Sequence, residues 1–299
     1  MSEPPSLDVV IVAYQSRELL RRCLDALLAH APRRTMSISV VDNASGDGTV
    51  GMIAREYPQV RLFANDANLG FSAANNIAIR AGDGDYVLAL NPDTEMTPGA
   101  LDRLCALMDA NPEIGISGPA LARADGSPDY AAKRSFPTPI SALGHFTGVG
   151  RRRETGALAA YRAPAVTEGP VDAVNGAFML MRRRALDQVG LFDEGYWMYM
   201  EDLDLCYRFA EAGWVTWYEP SVTVRHLKAG TSGEHRSPRL NYAFHYGMLR
   251  FYRSHYAPQR NPLLNAVVYA GIAVKLAVSI VGTELARARA GSRRAPRAG

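Results

Sequence analysis

Cysteine is scarce in this chain. It occurs three times in 299 residues, at positions 23, 105 and 206, with no C-x-x-C pair. That is too little, too widely spaced, for a disulfide framework. Each cysteine falls among apolar residues at helical spacing, as small core residues of a protein in a reducing compartment do. Net charge is also small, +3 from 33 basic and 30 acidic residues. This is too weak a bias for a nucleic-acid partner. The N-terminus, MSEPPSLD, lacks a basic segment followed by an apolar run, so no secretory signal is expected. A composition of 47% hydrophobic and 21% charged residues excludes a disordered chain, a collagen-like repeat and a polytopic membrane protein. The length suits one large domain or two small ones. The little charge present is uneven. Arg287, Arg289, Arg293, Arg294 and Arg297 fall in the last 15 residues with no acid, and the other 284 residues sum to −2.

The pattern of apolar residues predicts an α/β fold with a mostly parallel sheet. Residues 7–13 (LDVVIVA) read as a buried strand. Leu20, Cys23, Leu24, Leu27 and Leu28 then recur at helical spacing behind a possible Ser16 cap. Strands are expected at 37–41, 60–63 and 86–90, with helices over 71–80 and after Pro98. Residues 125–170, which include Arg151, Arg152 and Arg153, read as a long irregular excursion of the kind that forms binding loops. A strand is expected over 171–181, a helix over 202–212 and a strand over 216–225. Tyr14, Asp42, Asn43 and Asp93 gather at carboxyl ends of strands, the edge at which open α/β sheets bind ligands.

Three acids, Glu201, Asp202 and Asp204, lie within four residues. An acidic helix start favours the helix dipole, and that alone could account for them. The run Tyr196, Trp197, Met198, Tyr199 before them argues for more. Carboxylates beside aromatics suit a site where a sugar ring stacks and an acid takes a proton. Mutual repulsion should raise the pKa of at least one acid.

The segments VVIVAYQS, VVDNASGDGT, NDANLGFSAANN and LALNPDT resemble the donor-binding half of family-2 glycosyltransferases, which have the GT-A fold. VNGAFMLMRR, GLFDEGYWMYMEDLDLCYR and VRHLKAGTS resemble the acceptor half, in the family's order, over about residues 7–232. The likeness is to the bacterial rhamnosyltransferase-like branch, which builds cell-wall, O-antigen or exopolysaccharide glycans. It implies a GT-A catalytic domain over 1–232 (donor half about 7–125, acceptor half about 126–232). C-terminal helices would follow over 233–284 and a basic disordered tail over 285–299.

The resemblance implies an inverting transferase that takes a sugar, rhamnose favoured, from a dTDP or UDP donor. The acceptor would be a hydroxyl of a glycan or polyprenyl-linked glycolipid. Asp42 matches the residue that accepts from the uracil or thymine base, and Ala13 and Tyr14 line the same nucleotide. Asn68, Gly70 and Asn75 match the loop and helix start near the diphosphate, where backbone N–H groups meet anionic oxygens. Asn91-Pro92-Asp93 stands where the family's D-x-D motif stands, with Asp93 a ligand of Mg²⁺ or Mn²⁺ and His226 completing the metal site. Asn91 departs from the family's acid at that position and leaves fewer charged ligands. Asp202 would be the general base. Glu201 would support it, and Asn175, Gly176 and Ala177 would sit beside the donor sugar. Two rivals stand beside this. One is a nucleotidyltransferase, and the other an inactive nucleotide-sugar-binding subunit at the membrane.

Beyond His226, residues 237–256 are aromatic and basic and predict a helix that packs on the core or lies on a membrane. Residues 263–281 are a 19-residue apolar run interrupted by Lys275. At about 100° per residue, Asn265, Lys275, Ser279 and Thr283 share one sector. That suits an in-plane anchor or a packed helix better than a lone span. With the arginine tail, it predicts a cytoplasmic protein held peripherally at the inner face of the plasma membrane.

Overall fold

The computed structural model describes residues 4–137, 166–228 and 237–294, with side chains to residue 283. Arg151, Arg152 and Arg153, and the side chains of the terminal arginines, lie outside the described residues. Four strands, β1 (Leu7–Ala13), β2 (Met36–Asp42), β3 (Arg61–Ala64) and β4 (Tyr86–Leu90), alternate with helices α1 (Arg17–Ala29), α2 (Thr49–Glu56) and α3 (Phe71–Ala81). The strands are parallel and lie in the order β3-β2-β1-β4. The chain winds outward from β1 to β3, then returns to place β4 on the other side of β1. The carboxyl ends of β1 and β4 therefore flank the point where strand order reverses, where doubly wound sheets bind ligands.

The sheet continues through β10 (Phe178–Arg182), β6 (Ile114–Ala122), β11 (Val215–His226) and β5 (Thr94–Glu95). β10 runs antiparallel to β4 and β6. Its beginning thus lies at the edge where its neighbours end. The single strand expected over 171–181 is broken. Ala173–Val174 (β9) pairs with Lys133–Arg134 (β7), and a turn at Asn175 intervenes before β10. That turn is closed by Ala177 N donating to Asn175 Oδ1 at 2.8 Å. Gly169–Pro170 (β8) pairs with β11, so both described ends of the irregular excursion are tied into sheets.

Helix faces follow the apolar spacing. Leu20, Cys23, Leu24 and Leu27 of α1 are buried, as are Leu101, Leu104, Cys105 and Met108 of α4 (Ala100–Ala110). The cysteines are free core thiols, and burial pushes each up to about 12. The expected Ser16 cap does not form. Asp47 performs that task from 30 residues away, accepting from Arg17 N at 2.9 Å. β6 and α5 (Arg183–Val189) are unannounced by the sequence pattern. Asp8, buried at the start of β1, accepts from Ser37, Gly84 N and Arg183. It serves as a structural tie.

The chain divides into two compact units. One holds residues to Trp197 and Glu201–Gly230, and the other holds Met198–Met200 and the chain from Thr231. The first includes α6 (Glu201–Glu211), one residue longer at its start than the spacing predicts.

The second unit is built on an antiparallel helix pair. α7 (Pro238–Phe251) starts at Ser237, whose hydroxyl accepts from Leu240 N at 3.3 Å, with Pro238 in the first turn. A π-helical turn, Tyr252–Tyr256, extends it. α8 (Pro262–Arg294) packs back along α7. The polar stripe faces inward: Ser279 Oγ donates to Asn241 Oδ1 at 2.9 Å, and Asn241 Nδ2 to Thr283 at 3.2 Å. Tyr252 donates to Asn265 at 2.8 Å. The opposite face carries Leu263, Val267, Val274, Val278 and Val281, each more than half exposed. Pro262–Thr283 is long and apolar enough to cross a bilayer, with mean hydropathy 1.9.

Candidate active site

The residues singled out from the sequence in the first unit meet along one sheet edge. Ala13 ends β1 and lies in register with Asp42 at the end of β2. Asp42 is 2% exposed. Its Oδ2 accepts from Ser45 N at 3.0 Å, while its Oδ1 is buried with no hydrogen-bond partner. A carboxylate oxygen so placed calls for a donor from a ligand, because burying an acceptor unpaired is costly. Tyr14, next along, is 44% exposed.

The 68–75 segment departs from expectation. Gly70 N donates to Asn68 Oδ1 at 3.0 Å, and Phe71 N to Trp197 O at 2.8 Å. Asn75 Nδ2 donates to Phe71 O within α3. These donors are satisfied inside the protein, so the segment acts as a frame and not as an open anion nest. Gly70, at φ +88°, is required by contact: a Cβ there would lie 2.3 Å from Trp197 O. Asn43, placed with Asp42 at the end of β2, pins this frame. Its Nδ2 donates to Gly70 O at 3.1 Å, and its Oδ1 accepts from Asn65 at 2.9 Å. Tyr196 and Trp197 are likewise structural members, Tyr196 buried and Trp197 Nε1 donating to Asn68 O.

Past β4, Asn91 N donates to Ala177 O at 2.9 Å, which places the Asn175 turn beside the Asn91–Asp93 segment. Asp93 O accepts from Leu227 N, drawing the end of β11 to the same place. Asp93 Oδ1 then lies 3.4 Å from His226 Nε2, and both residues are buried. On the other side of the ring, Nδ1 lies 3.5 Å from Asp129 Oδ2. Burial pulls the imidazole down, but Asp129 and Asp93 outweigh it and raise its pKa to about 9. Burial likewise opposes the charge on Asp129, but His226 and Lys228 hold its carboxyl well below the usual range.

Among the described residues no three His, Cys, Asp or Glu side chains converge to hold a metal alone. Asp93 and His226 nevertheless fit a divalent cation completed by donor phosphate oxygens, since such ions are held through few carboxylates plus phosphates. Asp129 behind Nδ1 is the carboxylate that would orient a ligating imidazole. It went unnoticed in the sequence, where it sits alone in an irregular stretch.

Asp202, the second residue of α6, is 7% exposed. Its Oδ2 accepts from Arg134 Nη2 at 2.5 Å and Gly176 N at 2.9 Å, and its Oδ1 from Leu203 N at 2.8 Å. Gly176 thus binds the carboxylate directly. Asn175 fixes the turn through Ala131 O and its own link to Ala177. Arg134, the counter-charge, was not foreseen. One of the three acids, Glu201, is pushed upward. Burial, with the adjacent Asp202 charge, raises it to about 8, and its Oε2 has no hydrogen-bond partner. Asp204 is structural: it pairs with Arg208, accepts from Tyr196, and Arg208 in turn donates to the carbonyls of Val189, Gly190 and Leu191. Between Trp197 and Glu201, Tyr199 and Met200 hold φ of 70° and 74°. Non-glycine residues in that region cost about 1–3 kcal/mol each and cluster at functional sites.

Comparison with known proteins shows the family and the fold. The sequence profile described as Glycosyl transferase family 2 matches residues 8–190. N-acetylglucosaminyl-diphospho-decaprenol L-rhamnosyltransferase of Mycobacterium tuberculosis is 39% identical over 258 residues, 80% of this chain and 81% of the relative. Rhamnosyltransferase WbbL of Escherichia coli is 28% identical over 228 residues, covering 73% and 82%. Among solved structures, the mannosyltransferase PcManGT from Pyrobaculum calidifontis, in complex with GDP-Man and Mn²⁺, superposes with TM-score 0.59 at 17% identity. That match covers 99% of this chain and 79% of that one. GalNAc-T7 with UDP, GalNAc and Mn²⁺ gives TM-score 0.60 at 17% identity, covering 85% and 48%.

Proposed function

The chain belongs to glycosyl transferase family 2 and has the GT-A fold, and from that premise we propose that it is an inverting rhamnosyltransferase of cell-envelope glycan synthesis. The donor is a dTDP- or UDP-activated rhamnose, and the acceptor is a hydroxyl of a sugar carried on a polyprenyl diphosphate. The observation that carries this is 39% identity, over four-fifths of both chains, to a relative named for that reaction. In its support, Asp42, Asp93, His226 and Asp202 share one sheet edge.

Asp42 Oδ1 accepts the imino N–H of the pyrimidine, and Ala13 and Tyr14 border the nucleotide. Asn68, Gly70 and Asn75 shape its wall, framed by Asn43 and Trp197. Asp93 and His226 would hold Mg²⁺ or Mn²⁺, which would supply positive charge against the departing diphosphate. Asn91 orients the Asp93 segment through Ala177. Asn175, Gly176 and Ala177 border the donor sugar. Asp202, held by Arg134 and Gly176 N, takes the proton of the acceptor hydroxyl as its oxygen attacks the anomeric carbon. The diphosphate leaves from the opposite face, and one displacement inverts the configuration. Glu201, protonated at neutral pH, adds no second negative charge beside the base.

The catalytic domain extends to about residue 232, and the helices beyond it hold the protein at the cytoplasmic membrane surface. Exposed valines and leucines on α8 support that attachment. The test is incubation of the purified chain with dTDP-rhamnose, UDP-rhamnose or a GDP-sugar and polyprenyl-diphospho-N-acetylglucosamine. A deoxyhexose mass gain on the acceptor with release of the pyrimidine nucleoside diphosphate is expected, and Asp42→Ala should abolish the preference for pyrimidine donors. Release of inorganic pyrophosphate would reveal a nucleotidyltransferase. Donor binding with no transfer at all would reveal a binding subunit.

A further inference from the structure

The helix pair of the second unit encloses a groove of about 410 Å³ that the chemistry at the sheet edge leaves unused. We propose that this groove binds the isoprenoid chain of the polyprenyl-diphosphate acceptor and that Arg253 meets its diphosphate. The proposal rests on the acceptor class assigned above.

On the α7 side the groove is lined by Tyr242, His245, Tyr246 and Leu249. On the α8 side it is lined by Tyr269, Ile272, Ala273 and Leu276. These surfaces are hydrocarbon or aromatic, and they suit an unsaturated branched hydrocarbon better than a sugar. Tyr242 and Tyr246 stack at 5.9 Å with 18° between their planes, yet are 57% and 38% exposed. Exposed tyrosines with an apolar body and a polar tip belong at a membrane–water boundary. Tyr242, Tyr246, Leu249 and Arg253 recur at i, i+4, i+7 and i+11, so they form one row about 16 Å long at 1.5 Å per residue. That accommodates a few isoprene units and leaves the rest of the chain in lipid.

Charge determines which lipid. Arg253 ends the row, within the π-helical turn, and such turns are frequent at functional sites. From Ser237 to Thr283 there are four arginines and one lysine and no acidic residue. The groove therefore offers hydrocarbon contact along its length and a cationic end, the pattern of a prenyl chain terminating in diphosphate. The neighbouring face of α8, with Val267, Val274 and Val278 exposed, lets such a chain enter from the bilayer without crossing water.

The test uses the full chain in nanodiscs and the variant Ala273→Trp, which fills the groove from an exposed position. Ala277→Trp, the same enlargement at an exposed position of α8 outside the lining, is the control. The readout is the ratio of KM for a long-chain polyprenyl-diphospho acceptor to KM for its octyl-diphospho analogue, together with direct binding of sugar-free polyprenyl diphosphate. Ala273→Trp should raise that ratio, and weaken the binding, by about tenfold, and Ala277→Trp should change neither. Equal KM changes for both acceptors, or equal effects of both variants, would overturn the proposal. So would displacement by phosphatidylglycerol as effective as by polyprenyl diphosphate, or a change of oligomeric state alone. If the wild type turns over neither acceptor, the assigned reaction fails. The binding arm then still decides the groove.

Discussion

Replacing Asp202 by asparagine separates chemistry from architecture. The carboxylate accepts three hydrogen bonds, from Arg134, Gly176 N and Leu203 N. An asparagine can turn its single oxygen toward Arg134 and Gly176, but its NH₂ then faces Leu203 N, donor to donor. One buried hydrogen bond is lost, at about 1–3 kcal/mol. Arg134 loses its counter-charge and keeps its bond to Val174 O at 2.8 Å. A Tm lowered by several degrees is therefore expected, with the fold intact. Loss of the base removes about 10²–10⁴ in turnover, which at 1.36 kcal/mol per decade is about 2.7–5.4 kcal/mol of barrier. The described hydrogen bonds of Asp202 run to Arg134, Gly176 and Leu203 and not to Asp42, Asp93 or His226, so donor affinity should change little. The assay is turnover at saturating donor and acceptor, with pyrimidine nucleotide affinity measured by calorimetry on the same sample. Asp204→Asn is the structural comparison, since it should lower Tm through Arg208 and Tyr196 without a turnover loss of that order. An Asp202→Asn enzyme that turns over like the wild type refutes the assignment. A loss shared equally with Asp204→Asn refutes the separation of roles.

Three further outcomes follow from the contacts. Gly70→Ala should destabilise the protein by roughly 2–4 kcal/mol, because the backbone is glycine-specific and the clash is with the Trp197 carbonyl. Chemical denaturation measures it, and Trp197→Ala should rescue it only in part, because the indole contacts go and the carbonyl contact stays. Glu201 has a folded pKa of about 8, above its unfolded value of 4.5, so the folded state keeps a proton that the unfolded chain has released. Its contribution to stability is fully present below about pH 4.5 and is lost as pH rises toward 8. Glu201→Gln should therefore gain stability over the wild type progressively across that window, and a pH-independent difference in Tm would contradict it. Asp129→Asn should raise the Mn²⁺ concentration for half-maximal activity by about 10–100-fold, with turnover recovering at excess metal, because the imidazole loses the group that orients it. An unchanged metal titration would dismiss that role.

Much of the fold is legible along the chain because it is written in short-range periodicity. The run 7–13 and the 3.6-residue spacing from Leu20 to Leu27 depend only on which neighbouring side chains must leave water together. β1, β4 and the buried face of α1 follow from them. Placement of Asp42, Asp93 and His226 at one edge follows as well, since parallel strands end on the same side. The polar sector of Asn265, Ser279 and Thr283 was visible too, but not what it faces. β6 and α5 are not marked by periodicity, because Gly115, Gly118 and Pro119 interrupt the one, and the other is only about two turns long.

The remaining decisions belong to contacts between residues far apart in sequence. Asp202 meets Arg134 across 68 positions, and His226 meets Asp129 across 97. Asp47 caps a helix 30 positions away in place of Ser16. Three neighbouring acids look alike in sequence. In the structure one is paired with Arg134, one with Arg208, and Glu201 is buried with its pKa raised. Local pattern records what a residue does for its own helix or strand. Charge state and orientation depend on burial and on partners that the folded sheet alone brings within reach.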